Sequence, residues 1–375
     1  MAHPIRRFTK RLIIFLNIIT ALFFLLGCYG YWFNAQQFWF TGFFALSSFY
    51  LLLILAAFIF FWLLAKPRFM LISIITIALA WQPLHHLLKL RINADFTRKK
   101  NETNLRVMSW NIEGFEISSY KTEPQKKVQM LQLINAYQPD VACFQEVVGS
   151  DSVPKAINYL PDIALKINMP FYYYTYNPKL DYDGSHRFGI IIFSRYPILN
   201  KKTISHAPND YNYIFQYADI LKNQDTFRVF NLHLQSLKFS NEDLRYLEEP
   251  TIDDESNFKQ SRNIITKFKR GFLKRQVQSQ YVKEEVDKSI YPVIVCGDFN
   301  DVPNSYAYHT IGQGLQNCFA EKGTGIGRTF SHIAPTLRID NIFADKRFSI
   351  LQFTRDGKNL SDHFPILADL YYNKP

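Results

Sequence analysis

PVIVCGDFN, residues 292–300, is the stretch on which the fold turns. Four apolar residues, Val293, Ile294, Val295 and Cys296, make a short continuous run bounded by Pro292 and Gly297, the pattern of a strand buried on both faces. A strand of that kind sits at the centre of a sheet. Gly297 lets the backbone turn, and Asp298 and Asn300 alternate around Phe299, so both polar side chains emerge where the strand ends. An Asx-type turn after an ordinary strand would use the same residue types. The segment therefore takes its meaning from the rest of the chain.

The 375 residues carry a formal charge of +11, with a pI near 9.3. A basic balance of this size ordinarily points to nucleic acid or an acidic surface. Its distribution points elsewhere. Residues 1–100 hold 11 of the 43 Lys and Arg and one acid, Asp95, of the 32, leaving 32 basic against 31 acidic residues in 101–375. The C-terminal part is nearly neutral, and the basic excess flanks apolar segments as membrane-topology signals do. Cys28, Cys143, Cys296 and Cys318 show neither CxxC spacing nor the density of a disulfide scaffold, and Cys143 and Cys296 read as small buried hydrophobes.

Residues 1–95 read as a transmembrane region. Residues 12–65 contain no charge and are interrupted by Asn34, Ala35, Gln36 and Gln37, which splits them into 12–33 and 38–65. Each piece is long enough to cross a hydrocarbon layer of ~30 Å as a helix. A third segment, 69–88, is apolar up to Trp81 and softens through Gln82, Pro83, His85 and His86, so it either spans or lies in the interface. Arg6, Arg7, Lys10 and Arg11 place the N-terminus in the cytoplasm, and Lys66 with Arg68 bring the second loop back there. With a spanning third segment the remainder is extracytoplasmic, in an integral protein of the inner or plasma membrane. Lys89, Arg91, Arg98, Lys99 and Lys100 pull the other way.

Residues 96–105 read as a polar linker and 106–375 as a globular domain. VMSWNI (107–112), VACFQEV (141–147), FYYYTY (171–176), GIIIFS (189–194), YIFQYADI (213–220), FRVFNLHL (227–234) and RIDNIF (338–343) have the composition of strands, with a helix over 125–137. Residues 258–286 carry Ile265, Phe268 and Phe272 at helical spacing among Lys259, Arg262, Lys267, Lys269, Arg270, Lys274 and Arg275, which predicts an amphipathic helix whose stripe covers one face of a sheet.

Polar residues recur at the ends of these strands: Asn111, Glu146, His233, Asp298, Asn300, Asp340, Asp362 and His363. Each alone has a structural explanation as a turn cap, an edge carboxylate or a core histidine. Together they suit metal-assisted phosphoester hydrolysis. Carboxylate and amide oxygens without a Cys or His cluster fit a hard cation such as Mg²⁺ or Mn²⁺. Cleavage needs an activated water, stabilisation of charge on the phosphoryl oxygens and a sink for the leaving alkoxide.

MSWNIEG, FQEV, FGIIIFSRYPI, NLHLQS, GDFN, RIDNIF and SDHFP, in this order, resemble the motifs of the endonuclease/exonuclease/phosphatase superfamily, the Mg²⁺-dependent, DNase I-like fold. The resemblance covers about residues 106–370. It implies a four-layered α/β sandwich of two mainly antiparallel sheets flanked by helices, here preceded by transmembrane helices. It also implies Glu146 as principal metal ligand with Asn111 and Asp362 beside it. Asp298 would activate the water, Asn300 would hold the phosphoryl group, and Asp340 would fix the tautomer and charge of His363. His233 matches a second histidine of the DNase I and sphingomyelinase branches, and Ser236 would assist the phosphate. The expected substrate is a phosphoester: nucleic acid, phospholipid head group or small phosphate ester. The lipid bilayer is the expected partner, and no obligate protein partner is implied. Two rivals remain: a non-catalytic binding module that kept the fold, and a protein whose transmembrane part is primary. A complete set of polar residues disfavours the first, and the lack of intramembrane charges or repeats disfavours the second.

Overall fold

The computed structural model describes residues 2–90, 96–116, 122–150, 158–181, 186–205, 214–248 and 255–374. Arg91 and Asp95 of the charge reading, and Tyr213 of the strand expected over 213–220, lie outside the described residues.

Helix α1 (Ala2–Tyr29) leads through a short turn to α2 (Ala35–Phe38) and α3 (Thr41–Ala65). Asn34 caps α2, its side chain accepting from the backbone of Gln36 at 2.8 Å. The segments Pro4–Trp32 and Thr41–Ala65 are long and apolar enough to cross a membrane. They pack closely at Gly27, where an added Cβ would lie 2.3 Å from the carbonyl oxygen of Phe44. The third apolar segment is broken into α4 (Met70–Leu79) and α5 (Trp81–Leu87), and the chain bends by 69° between them. Pro83 explains the bend: its ring has no N–H to give the carbonyl four residues back, that of Leu79. The hydroxyl of Tyr29 donates to that carbonyl instead, at 2.6 Å. The segment thus divides between the two alternatives its sequence left open, a straight apolar piece followed by one turned aside.

The strands are β1 (Leu105–Asn111), β2 (Val141–Ser150), β3 (Phe171–Asp181), β4 (His186–Ser194), β5 (Ile198–Ser205), β6 (Ile214–Lys222), β7 (Asp225–His233), β8 (Val293–Asp298), β9 (Leu315–Asn317), β10 (Asp340–Asp345), β11 (Phe348–Arg355) and β12 (Ile366–Tyr372). They form two six-stranded sheets, ordered β11-β12-β1-β2-β4-β3 and β5-β6-β7-β8-β10-β9. Each is antiparallel except for one central parallel pair, β1 with β2 and β7 with β8. The PVIVC strand is where its composition put it, inside the second sheet.

Two-residue alternation sorts every strand into two faces. Val107, Val141, Cys143, Val229, Ile294, Cys296 and Ile342 point into the gap between the sheets and form one buried core. Met108, Trp110, Phe144 and Phe193 point outward under α6 (Pro124–Tyr137) and α7 (Leu160–Lys166). Phe230, Leu232, Val295 and Phe299 point outward on the other side, towards Val282 and Val286 of α9 (Glu255–Asp287) and Tyr308 of α10 (Tyr306–Gly312). The result is the expected four layers. Helices α8 (Asn241–Glu248) and α11 (Cys318–Lys322) complete the set.

Two expectations change. Residues 96–104 do not run free: Phe96 packs on the outer core, the carbonyls of Thr97 and Arg98 accept from Arg106, and Lys100 pairs with Asp140. The aromatic stripe of α9 does not cover a sheet. Phe268 and Phe272 pack instead on Phe43 of α3, with ring centroids 5.3 and 5.5 Å apart, while Ile265 is exposed. Gly42 makes room for Phe272, since a Cβ there would fall 2.7 Å from its ring. Further contacts hold the sandwich against the α1–α3 turn. Gln276 bonds Gln36 and Asn34 at 3.0 Å each, Tyr31 stacks on His309, and His86 of α5 meets Tyr308. Arg6, Arg7, Lys10 and Arg11 begin α1, and Lys66 and Arg68 follow α3, so both groups belong to the end of the hairpin away from this junction.

Candidate active site

The parity that builds the core also builds the site. His233, Asp298 and Asp340 are register partners across β7, β8 and β10, and all three share the inward face with the core residues that precede or follow them. Asn111 ends β1 on the inward face of the other sheet. Glu146 is the exception. It follows Gln145, so alternation would turn it outward with Phe144, but a bulge interrupts the β2/β4 ladder between Phe144 and Val147 and Glu146 takes φ +54°. The extra residue re-aims its carboxylate to the open end of the gap. Gly297 has φ +144°, and a Cβ on it would lie 2.0 Å from Leu232 O, so only glycine lets β8 lie this close to β7 just before Asp298.

The eight side chains converge. Asn111 Nδ2 donates to Glu146 Oε1 at 3.2 Å and to Asp298 Oδ2 at 3.3 Å. His233 Nε2 stands 3.6 Å from Glu146 and 3.7 Å from Asp298. His363 Nδ1 meets Asp340 Oδ2 at 2.8 Å, and its Nε2 faces Asp298 at 3.7 Å. Asn300, at φ +51°, uses its backbone and side-chain amides on Asp298, at 2.7 and 3.0 Å, and its Nδ2 also reaches Leu234 O at 3.1 Å. Asp362 lies beside His363, its carboxylate accepting from Ser361 at 3.2 Å. Ser236 lies nearby in the same cavity.

Charge in this enclosure is arranged unevenly. Burial, opposed by the charge of His363, pushes Asp298 up to about 6. Burial and then the charge of Asp362 push Glu146 up. The two histidines part company. Burial lowers His233 and favours its neutral form; burial opposes the charge of His363 too, but Asp340 and Asp298 outweigh it and hold that pKa well above the ordinary value. Asp298, Asp340 and His363 have donor atoms within 4.8 Å of one another and could hold a metal by spacing alone. His363 Nδ1 is engaged by Asp340, which leaves Nε2 as the nitrogen such an ion would use. Asn111, Glu146 and Asp362 offer oxygen donors, and the mutual repulsion of the two carboxylates is what a hard cation relieves.

Several contributors escaped the sequence reading. Thr329 accepts from the backbone amides of Ile339 and Asp340 at 2.9 and 3.0 Å and so fixes where β10 begins. Gln145 and Asn231, bonded across the sheets at 2.7 Å, form a polar shelf one row below the site. Glu113 accepts from the backbone of Asp362 at 3.3 Å. The visible signal for the shelf was a polar residue inside each apolar run, VACFQEV and FRVFNLHL.

Residues 108–363 match the family described as Endonuclease/Exonuclease/phosphatase, and residues 10–87 match a domain of unknown function, DUF8431. No curated protein matches. Among solved structures, an endonuclease/exonuclease/phosphatase from Beutenbergia cavernae aligns over 72% of this chain and 72% of its own at 18% identity, with a TM-score of 0.51. A family protein from Bacteroides thetaiotaomicron aligns over 72% of this chain and 98% of its own, again at 18% identity and a TM-score of 0.51. Likeness at that identity speaks to fold, and the fold is the layered sandwich described above. With the family match running from β1 through His363, the chain belongs to the Endonuclease/Exonuclease/phosphatase family.

Proposed function

We propose that the protein is a membrane-anchored phosphoester hydrolase dependent on Mg²⁺ or Mn²⁺, with Asn111, Glu146 and Asp362 as metal donors. The observation that carries the reading is geometric: two buried histidines flank one carboxylate, His363 with Nδ1 on Asp340 at 2.8 Å and Nε2 3.7 Å from Asp298, His233 with Nε2 3.7 Å from Asp298, and their surroundings shift the two histidines in opposite directions. Environments that push titratable groups apart assign acid and base roles.

Asp340 accepts from His363 Nδ1 and leaves a charged Nε2–H for the phosphoryl oxygens, where negative charge grows in the transition state. Asp298 takes the proton of the attacking water. Asn300, expected to hold the phosphoryl group, spends its amides on Asp298 and Leu234, so its role here is to orient Asp298. His233 donates a neutral hydrogen bond, and Ser236 is within the same cavity to assist the phosphate. A hard cation at the three donors would polarise the phosphoryl group and neutralise the leaving alkoxide.

Anchoring rests on the two long apolar helices, and orientation on the positive-inside rule. The basic end of the hairpin belongs in the cytoplasm, which puts residues 106–375, the catalytic domain, outside it. A reporter fused after Leu105 should register as extracytoplasmic; a cytoplasmic signal would reverse the orientation. Function is tested on the full chain in detergent with bis-(p-nitrophenyl) phosphate and p-nitrophenyl phosphate. Hydrolysis should require added Mg²⁺ or Mn²⁺ and fall by about 10² to 10³ in His363→Ala, and a metal-independent rate would overturn the reading.

A further inference from the structure

The catalytic rim does not open into plain solvent. It forms one end of a cavity of about 440 Å³, within the usual ~300–1,000 Å³ of small-molecule sites. Glu146, Asp298, Asn300, Asp362 and His363 line the polar end. The other walls are apolar and come from two sources. Phe239, Phe330, Ile333 and Leu337 belong to the sandwich, whereas Leu46 and Tyr50 belong to α3, a helix apolar enough to cross a membrane.

At ~1.5 Å per residue, Leu46 and Tyr50 stand roughly 8 and 14 Å along α3 from Thr41. The cavity therefore runs from the phosphoryl site down the side of a membrane helix. An aromatic collar surrounds that end of the hairpin, with Trp32 and Phe40 exposed there, as residues at a bilayer interface are. Leu46 also joins Ala45, Val302, Leu337 and Ile339 in one apolar cluster, so the cavity floor is shared between helix and sandwich. The α9–α3 packing and the Gln276 bonds fix this orientation, with the catalytic rim turned towards the hairpin.

A polynucleotide would call for cations tracking its backbone. Lys238 and Arg275 are the basic residues among the described lining, and Arg275 is committed to Asp301 at 2.9 Å. A small sugar phosphate would leave the apolar walls wetted. A molecule with a phosphoester at one end and a hydrocarbon chain at the other satisfies both ends at once. We propose that the substrate is the phosphoester of a membrane lipid, its phosphorus at the catalytic rim and its chain lying against Leu46 and Tyr50 of α3. The proposal rests on the hydrolase reading and narrows it to a substrate drawn from the bilayer.

The test compares dioleoyl and dibutyroyl forms of phosphatidylglycerol, phosphatidylinositol and phosphatidic acid, with bis-(p-nitrophenyl) phosphate and a single-stranded oligonucleotide, on the full-length protein in nanodiscs with Mg²⁺. For at least one head group the dioleoyl form should be hydrolysed ten-fold or more faster than the dibutyroyl form. Ser47→Trp and Ile333→Trp, which fill the apolar end, should each reduce that ratio at least five-fold, with thermal melts reporting folding. Leu165→Glu, on a distant exposed surface, should leave the ratio unchanged. Equal rates for the two chain lengths, a ratio indifferent to both Trp variants, or hydrolysis confined to the oligonucleotide or the aryl diester overturns the lipid assignment and leaves the hydrolase reading standing. No hydrolysis of any ester overturns both.

Discussion

The two rims of the sandwich are built from the same strands, yet they treat buried carboxylates in opposite ways. At the rim where β1 and β7 begin, each acid has its own fixed cation. Asp369 is gripped by Arg106 at 2.7 and 2.8 Å, Asp219 by Arg228 at 2.7 and 2.9 Å, and Asp140 pairs with Lys100 and Lys222. At the rim where β1 and β7 end, Glu146, Asp298, Asp340 and Asp362 face one another and two histidines, and the described residues bring no Lys or Arg into bonding distance of them. A carboxylate neutralised by the chain itself contributes to structure. One left for an exchangeable cation and a bound anion is available for chemistry.

The sharpest way to break this contrast is to remove the exchangeable charge. Chelation should abolish turnover, Mg²⁺ or Mn²⁺ should restore it, and Glu146→Gln should raise the metal concentration needed for half-maximal rate. Activity that persists in EDTA would make the catalytic rim as self-sufficient as the other.

Next in size are the fixed groups of the same rim. His363→Ala and Asp340→Asn should each slow kcat by about 10² to 10³, the loss of ~3–4 kcal/mol of transition-state stabilisation. The double variant should be little slower than His363→Ala, because the two act as one unit. Asp340→Asn should also move the alkaline limb of the pH–rate profile to lower pH: the carboxylate that raises His363 is gone, so the active cation is lost earlier as pH rises. Additive effects with a lowered Tm and a constant rate per folded molecule would instead mark Asp340 as structural.

The opposite rim should respond the other way round. Arg106→Met strands Asp369 in the interior and should cost about 3 kcal/mol of stability, read from denaturant or thermal melts, while turnover per folded molecule stays within two-fold. The smallest effect calibrates the others. Lys166→Ala removes an exposed pair with Asp162 at 2.7 Å and should change stability by no more than ~0.5 kcal/mol.

Strands with two buried faces were legible because their apolar runs are continuous, as in VIVC and GIIIF. Of the strands absent from the sequence reading, β5, β9 and β11 lie at sheet edges, where one face is half-wet and charged residues such as Lys201 and Lys202 dilute the pattern, whereas β12 is interior and its apolar run is broken by Asp369, the partner of Arg106. Residues that bond only through tertiary contact, such as Thr329 with Asp340 or Gln145 with Asn231, leave little local signature.

By itself the sequence determined which polar side chains sit at or beside strand ends, since composition and order are local properties of the chain. It also determined that the first 65 residues hold two apolar segments long enough to span a bilayer, since length and hydropathy need no partner. Tertiary structure alone decided that Glu146 turns inward through a bulge against the parity of its own strand. It alone decided that Phe268 and Phe272 pack on the long apolar helix α3 and not on a sheet. Both outcomes depend on what lies across a gap in space, and no spacing along the chain encodes that.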